Sequence, residues 1–197
     1  MQTTLYDMYS DNMLFRQNAI SKISGTATSG SKIEIEIYNS KNEKILTASS
    51  KAENNSFSVE FLAPKGSFES YSITITENGK EFRTLKNVVF GELWIASGQS
   101  NMQYPLSQAK GGADMSKNSQ KLSKWLRVLH MPVYCNNNES DTFADPQQDV
   151  VGAVWTTGEN GYVYNMSAVA YYFAAQMMED LDMPVGILNA SLGGSAI

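Results

Sequence analysis

The stretch Gly91-Glu-Leu-Trp-Ile-Ala-Ser-Gly-Gln-Ser100, followed by Asn101-Met102, decides the fold of this 197-residue chain. Its apolar run ends abruptly at Ser97-Gly98, which is typical of a buried strand whose carboxyl end reaches the surface. Ligands of open parallel sheets bind at the carboxyl ends of the strands. Ser100, which follows the glycine, is therefore a candidate nucleophile.

The chain before this stretch has the periodicity of half-buried strands. Ile33, Ile35 and Ile37 alternate with charged residues, so one face of the segment is apolar and the other is polar. Asn78-Gly79 separates two further alternating segments and predicts a hairpin, because a type I′ turn needs positive φ at both central residues. Several short strands with regular turn signals predict an antiparallel β-sandwich over residues 1–88.

Residues 89–197 have a different pattern, with continuous apolar runs and one amphipathic helix. Runs without alternation are typical of strands that are covered on both faces, as in a parallel sheet. Asn165 or Ser167 can cap the helix by accepting from amides of its first turn. The candidate elements are strands at Val88–Ala96, Leu126–Val133 and Val185–Ala190 and a helix from Ser167 to Asp180.

Four segments resemble sequences of the sialate O-acetylesterase family. Members of that family are carbohydrate acetylesterases of the SGNH hydrolase superfamily. Gly91–Met102 is similar to the nucleophile block of that family, and Asp11–Gln17, Ser167–Phe173 and Pro184–Ser195 are similar to other family segments in the same order. The resemblance implies α/β architecture with an N-terminal β domain: a β-sandwich at residues 1–88, then the first part of a flavodoxin-like three-layer α/β domain at 89–197. Family members continue to a further oxyanion donor and an Asp-x-x-His block. We therefore expect a front portion of a longer esterase that is inactive alone.

The resemblance also implies a role for each candidate site residue. Ser100 resembles the nucleophile, and Gly193 and Gly194 resemble an oxyanion element, since glycine lets a backbone N–H approach a reacting oxygen closely. Gln99 and Asn101 either hold the turn or contact substrate. The implied reaction removes O-acetyl groups from sialic acid or other carbohydrates, so an acetylated carbohydrate is the expected partner. It requires no metal and no organic cofactor.

Other interpretations remain open at this point. The chain can be a non-catalytic carbohydrate-binding or structural β-sandwich module, or part of a GDSL-type lipid esterase. Ser100 itself can be a helix N-cap, and Ser97 is expected to be a strand-end hydroxyl that bonds to backbone. An α/β-hydrolase elbow is disfavoured, because Met102 stands where that motif has glycine.

Several other residues suggest chemistry and also have an ordinary structural interpretation. His130 can be a base, but it lies inside an apolar run that predicts a strand, and we favour the structural role. Cys135 has no histidine nearby in sequence and is expected to be unreactive. Trp155, Tyr162 and Tyr164 suit either sugar stacking or packing. The spacing of Asp141, Asp145 and Asp149 differs from a calcium-binding EF-hand loop, which indicates a solvated loop.

Composition excludes some classes of function. The net charge is −5 and there is no cluster of Lys and Arg, which disfavours nucleic-acid binding. No apolar run approaches the length of a membrane span. The first twenty residues lack a signal-peptide pattern, so we expect a cytoplasmic protein, or a secreted one if a signal was removed. The single cysteine rules out an intrachain disulfide.

Overall fold

The computed structural model describes residues 2–112, 120–132, 148–159 and 161–194. The fold is mostly β-strand, with mixed sheets and few helices. The described strands are β1 Thr4–Leu5, β2 Leu14–Arg16, β3 Ile20–Thr26, β4 Lys32–Tyr38, β5 Lys44–Lys51, β6 Ser56–Leu62, β7 Tyr71–Glu77, β8 Lys80–Gly98, β9 Leu126–His130, β10 Val154–Thr157 and β11 Val185–Ser191. The α-helices are α1 Ser100–Gln103, α2 Gln120–Trp125 and α3 Ala168–Leu181, and short 3-10 helices lie at Leu106–Gln108 and Gly161–Asn165.

The strands form two sheets. A 3-stranded sheet has the order β1-β3-β6, and an 8-stranded sheet has the order β10-β9-β11-β8-β7-β4-β5, with β2 pairing beside β8. Strand β11 is parallel to both β8 and β9, whereas β10 is antiparallel to β9. The three predicted strands of the second half are therefore present, and β10 has no counterpart among the predicted elements.

The first half has the predicted alternation. Ile33, Ile35 and Ile37 are fully buried, and the intervening residues of β4 are not. Their core is completed by the buried face of β6, including Phe57, Val59 and Phe61. The Asn78-Gly79 hairpin is confirmed: φ is 49° at Asn78 and 82° at Gly79, as a type I′ turn requires.

Strand β8 connects the two halves of the chain. Its first residues pair with β7 in antiparallel register, and its last seven pair with β11 in parallel register. At the crossing point, the Glu92 N–H donates to the Pro184 carbonyl at 3.0 Å, and a Cβ on Gly91 would overlap that same oxygen. The strand predicted at Val88–Ala96 is thus one part of a 19-residue strand. A domain division at residue 88 stays a prediction.

Helix α3 covers one side of the parallel strands. The Ser167 hydroxyl accepts the Ala170 N–H at 3.1 Å, which confirms the predicted cap. The helix ends before Asp182, which has left-handed backbone with φ 49°. The buried residues of the helix are Ala168, Ala170, Tyr171, Ala174 and Met178.

One buried cation joins β9 to the rest of the larger sheet. The Arg127 side chain is completely buried, and its guanidinium donates to the Lys124 and Leu126 carbonyls and to Asn87 Oδ1. Burial lowers the pKa of Arg127 to about 10, because a charged group loses hydration in the interior. The guanidinium still carries its charge at neutral pH. Its hydrogen bonds to the two carbonyls therefore stabilise the start of β9.

Trp155 is a packing residue and not a sugar platform. Its side chain is buried against the first half of the chain, and its Nε1–H donates to the Met8 carbonyl at 2.9 Å. Among the described residues, no helix is long and apolar enough to cross a membrane.

Candidate active site

The carboxyl end of β8 brings Ser100 to the surface. Residue pairing between β8 and β11 continues to Gly98 opposite Ser191, and the Leu192 N–H then donates to the Gly98 carbonyl at 3.0 Å. Gly98 has φ of 147°, a backbone conformation that side chains disfavour, and it ends the strand. Ser100 follows as the first residue of α1, and its side chain is exposed.

The short helix α1 is held against the start of α3. Backbone hydrogen bonds of 2.9 Å join Ala168 to Tyr104 and Leu106 to Met166, directly after α1. The Ser167 hydroxyl, which caps α3, also donates to Met102 Sδ at 3.2 Å. These contacts give Ser100 a defined position, because both its strand and its helix are hydrogen-bonded to neighbouring elements.

Gly193 lies beside Ser100. A Cβ built on Gly193 would be 3.4 Å from Ser100 Oγ and 2.7 Å from Gln103 Oε1, so a side chain here would crowd both groups. The Gly193 N–H donates to Gln103 Oε1 at 2.7 Å. Gly194 follows with φ of 81°, and among the described residues no atom lies within 4 Å of a Cβ built on it. The structure thus brings Ser100 and the double glycine together, and their catalytic roles stay predictions.

Gln103 is a site residue that the sequence analysis does not single out. It lies three residues after Ser100, which places both side chains on the same turn of α1. That spacing is the only signal in the sequence that points to Gln103. Its hydrogen bond connects the turn at the end of β11 to the helix that begins at Ser100.

The N-cap interpretation of Ser100 does not describe this helix. The N-cap position of α1 is Gln99, and no side chain caps the helix there. The side chains of Gln99 and Asn101 are both exposed beside Ser100. Ser97 is exposed as well and is the second-last residue of β8, opposite Ala190 of β11.

His130 is the last residue of β9, and β11 separates that strand from β8. In the pairing across the sheet, Asn189 lies between Ala96 and His130. Burial lowers the pKa of His130, because the charged imidazolium loses hydration. Its position in the sheet agrees with the structural role favoured from the sequence.

An apolar groove of about 270 Å³ lies between β8 and α3. It includes Met102 of the helix that begins at Ser100, and its outer rim is formed by side chains that are 40–69% exposed. The rim residues are Trp94, Ile95, Val169 and Phe173. An exposed apolar surface of this kind is typical of a contact site.

Within the part of the chain that the structure describes, no group of three or more His, Cys, Asp or Glu is arranged to hold a metal ion. Cys135, Asp141 and Asp145 lie outside the described residues, as does the side chain of Tyr162. Asp149 is described, and its carboxylate accepts the N–H groups of Asp7 and Val150. This loop residue therefore has a structural contact.

Comparison with known proteins confirms the predicted resemblance. A sialate O-acetylesterase of Homo sapiens is 28% identical over 197 residues, covering 95% of this chain and 36% of the human protein. The sialate O-acetylesterase of Rattus norvegicus is also 28% identical, covering 96% of this chain and 36% of the rat protein. The chain thus spans little more than a third of the length of these curated relatives. No protein-family model matches it.

A solved structure shows the same fold. A carbohydrate acetylesterase from Xanthomonas citri superposes with a TM-score of 0.82, covering 99% of this chain and 41% of that chain, at 23% sequence identity. The similarity includes both halves of the chain and the strand that connects them.

Proposed function

We propose that this chain, a relative of the sialate O-acetylesterases, contributes the nucleophile of a serine esterase that removes O-acetyl groups from sialic acid or other carbohydrates. The observation that carries the proposal is the exposed Ser100 hydroxyl at the carboxyl end of β8, directly beside Gly193. The names of the relatives support the reaction class. The two parts of the fold support an N-terminal β-sandwich and a flavodoxin-like three-layer domain, divided near residue 88.

The proposed chemistry forms an acyl-enzyme at Ser100. The hydroxyl oxygen attacks the acetyl carbonyl carbon, a base accepts the hydroxyl proton, and the bond to the sugar oxygen breaks as that oxygen takes up a proton. Water then hydrolyses the acetyl-serine ester and releases acetate. The base and its orienting acid come from residues outside this chain, in keeping with the greater length of the relatives.

The oxyanion of the tetrahedral intermediate needs preorganised N–H donors. The first amides of a helix have no acceptor within the helix, so the Ser100 N–H is one candidate donor. The Gly193 N–H is already bonded to Gln103. The Gly194 N–H is therefore the better second candidate, and Gln103 holds the turn that presents it.

A second candidate function is hydrolysis of lipid esters, and the apolar groove beside Met102 favours it. The two candidates differ in the acyl group that they accept. We expect acetyl esters to be cleaved faster than long-chain acyl esters. The opposite order in a polypeptide that continues past residue 197 would favour the lipid esterase.

Covalent labelling tests the nucleophile. The polypeptide that continues past residue 197 is treated with a fluorophosphonate, and the adduct is mapped by mass spectrometry. We expect labelling at Ser100 that Ser100→Ala abolishes. Ser97→Ala is the matched control, since Ser97 is an exposed serine at the end of the same strand. An adduct on another serine, or none at all, would contradict the proposal.

A further inference from the structure

A separate cleft lies on the 3-stranded sheet, far along the chain from Ser100. Its volume is about 700 Å³, and its walls come from β3, β6, the segment after β1 and the turn after β5. Residues 97–103 and 189–194 take no part in it. The cleft is therefore a separate surface whose ligand must be inferred from its own side chains.

The floor of the cleft contains two serine hydroxyl groups, one buried and one exposed. Ser24 of β3 and Ser58 of β6 are paired across the two strands, on the face opposite buried Ile23 and Val59. The hydroxyl of buried Ser24 donates to Ser58 Oγ at 3.0 Å, and exposed Ser58 is the hydroxyl within reach of a ligand. A serine hydroxyl can both donate and accept, so this floor suits a ligand rich in hydroxyl groups.

One wall of the cleft is partly apolar. Tyr6 and Met8 line it, and the Tyr6 hydroxyl donates to Gln148 Oε1 at 3.0 Å. That bond restrains the Tyr6 ring while leaving it partly exposed. A restrained aromatic ring with a polar tip offers an amphipathic contact surface at little entropic cost, and it suits the apolar face of a sugar ring.

The rim of the cleft carries two lysines in a protein that is acidic overall. Lys22 and Lys51 line it together with the carboxylate of Glu53, and Glu60 lies opposite Lys22 in the pairing of β3 with β6, whereas the whole chain has a net charge of −5. Both lysines are exposed, and neither takes part in the ion pairs found among the described residues. Two ammonium groups beside hydroxyls and an aromatic ring favour an anionic, hydroxyl-rich ligand.

We propose that this cleft binds an acidic sugar residue of a glycan, with Lys22 and Lys51 facing its carboxylate and the Ser24–Ser58 floor facing its hydroxyls. The inference rests on the proposed function only for the choice of sialic acid as the probe. Binding here does not require Ser100. The cleft would hold a glycan to the protein independently of ester hydrolysis.

The test is an NMR titration of the isotope-labelled chain with a trisaccharide of sialic acid, with neutral maltotriose and with sulfate. We expect the sialic acid trisaccharide alone to shift amides of residues 6–9, 22–24 and 51–58. The Lys22→Gln/Lys51→Gln double variant should bind at least about fivefold more weakly, as expected for loss of one to two charged hydrogen bonds.

The controls separate this proposal from that for Ser100. The Lys65→Gln/Lys80→Gln double variant removes two exposed lysines outside the cleft and should bind as the parent does. Ser100→Ala should also leave binding unchanged, whatever the outcome of labelling at Ser100. The proposal is overturned if no probe binds, if the Lys22/Lys51 variant binds normally, or if maltotriose or sulfate binds as tightly as the sialic acid trisaccharide.

Discussion

The middle and the carboxyl end of strand β8 lie in contrasting surroundings. Near its middle, Leu85 and Val88 to Phe90 are fully buried between neighbouring strands, whereas Trp94 is 43% and Ile95 is 69% exposed further along. The exposed end is also the one that leads to Ser100. The middle of β8 therefore belongs to an enclosed core, to which Trp155 of the second half contributes, and its carboxyl end leaves an apolar surface beside the candidate site.

This contrast separates residues that maintain the fold from residues that are available for contacts. Removing apolar atoms from the enclosed core leaves a cavity, while removing them from the exposed rim loses little, because those atoms already contact water. The same type of substitution should thus have a larger effect on stability in the enclosed core than at the exposed rim.

The largest expected effect on stability is that of Ile35→Ala, which removes a fully buried side chain from β4. We expect the free energy of unfolding to fall by about 3–4 kcal/mol. Phe173→Ala is the comparison, because that side chain is 40% exposed on the groove, and it should lose less than about 1.5 kcal/mol. Urea unfolding measures both. Equal losses would mean that the groove is part of the folded core.

Gly91→Ala tests the junction between the two halves. An added Cβ would overlap the Pro184 carbonyl oxygen, so either β8 or the chain before β11 must move. We expect a loss of about 2–3 kcal/mol. Gly79→Ala is the control: it has positive φ but no atom within 4 Å of the new Cβ, so only about 1 kcal/mol of backbone strain is expected. Similar losses for both variants would show that the close contact at Gly91 does not matter.

Gln103→Ala should act locally at the exposed end of β8. The Gly193 N–H loses its acceptor, and its hydrogen exchange should accelerate about fivefold, as expected for a bond contributing about 1 kcal/mol. Gln108→Ala, in the following 3-10 helix, is the matched control and should leave that exchange rate unchanged. If the Gly193 amide exchanges equally in both variants, Gln103 does not hold the double-glycine turn.

The smallest expected effect is the pH dependence due to His130. The pKa of His130 in the folded protein lies below the ordinary value of 6.5. At pH values in the window between these two pKa values, the imidazole is protonated in the unfolded chain but neutral in the folded protein. This contribution to stability is fully present above that window and is lost as pH falls through it. The urea concentration at the unfolding midpoint should fall as the pH is lowered from about 7.5 to about 5.5. The His130→Gln variant should show a smaller fall. An unchanged fall would assign it to other groups.

The sequence predicted those features that depend on a few neighbouring residues. Alternation in Ile33–Ile37 set which face of β4 is buried, Asn78-Gly79 set the hairpin, and Ser167 capped α3. The sequence also singled out Ser100 and the double glycine. It did not reveal strand β10, the unbroken course of β8, or the role of Gln103, since each depends on pairing or contact with a distant segment.

By itself, the sequence determined the strand faces, the hairpin and the helix cap, because side-chain periodicity and allowed φ values act over only a few residues. Only the tertiary structure decided that Gly193 lies beside Ser100, that Gln103 bonds to its amide, and that Lys22 and Lys51 share one cleft. The first two arrangements follow from the parallel pairing of β8 with β11. The third follows from the antiparallel pairing of β3 with β6, because β6 comes directly after β5 and Lys51 along the chain. Strands distant in the chain pair in this way because the pairing buries their apolar faces and gives their backbone N–H and C=O groups hydrogen-bond partners.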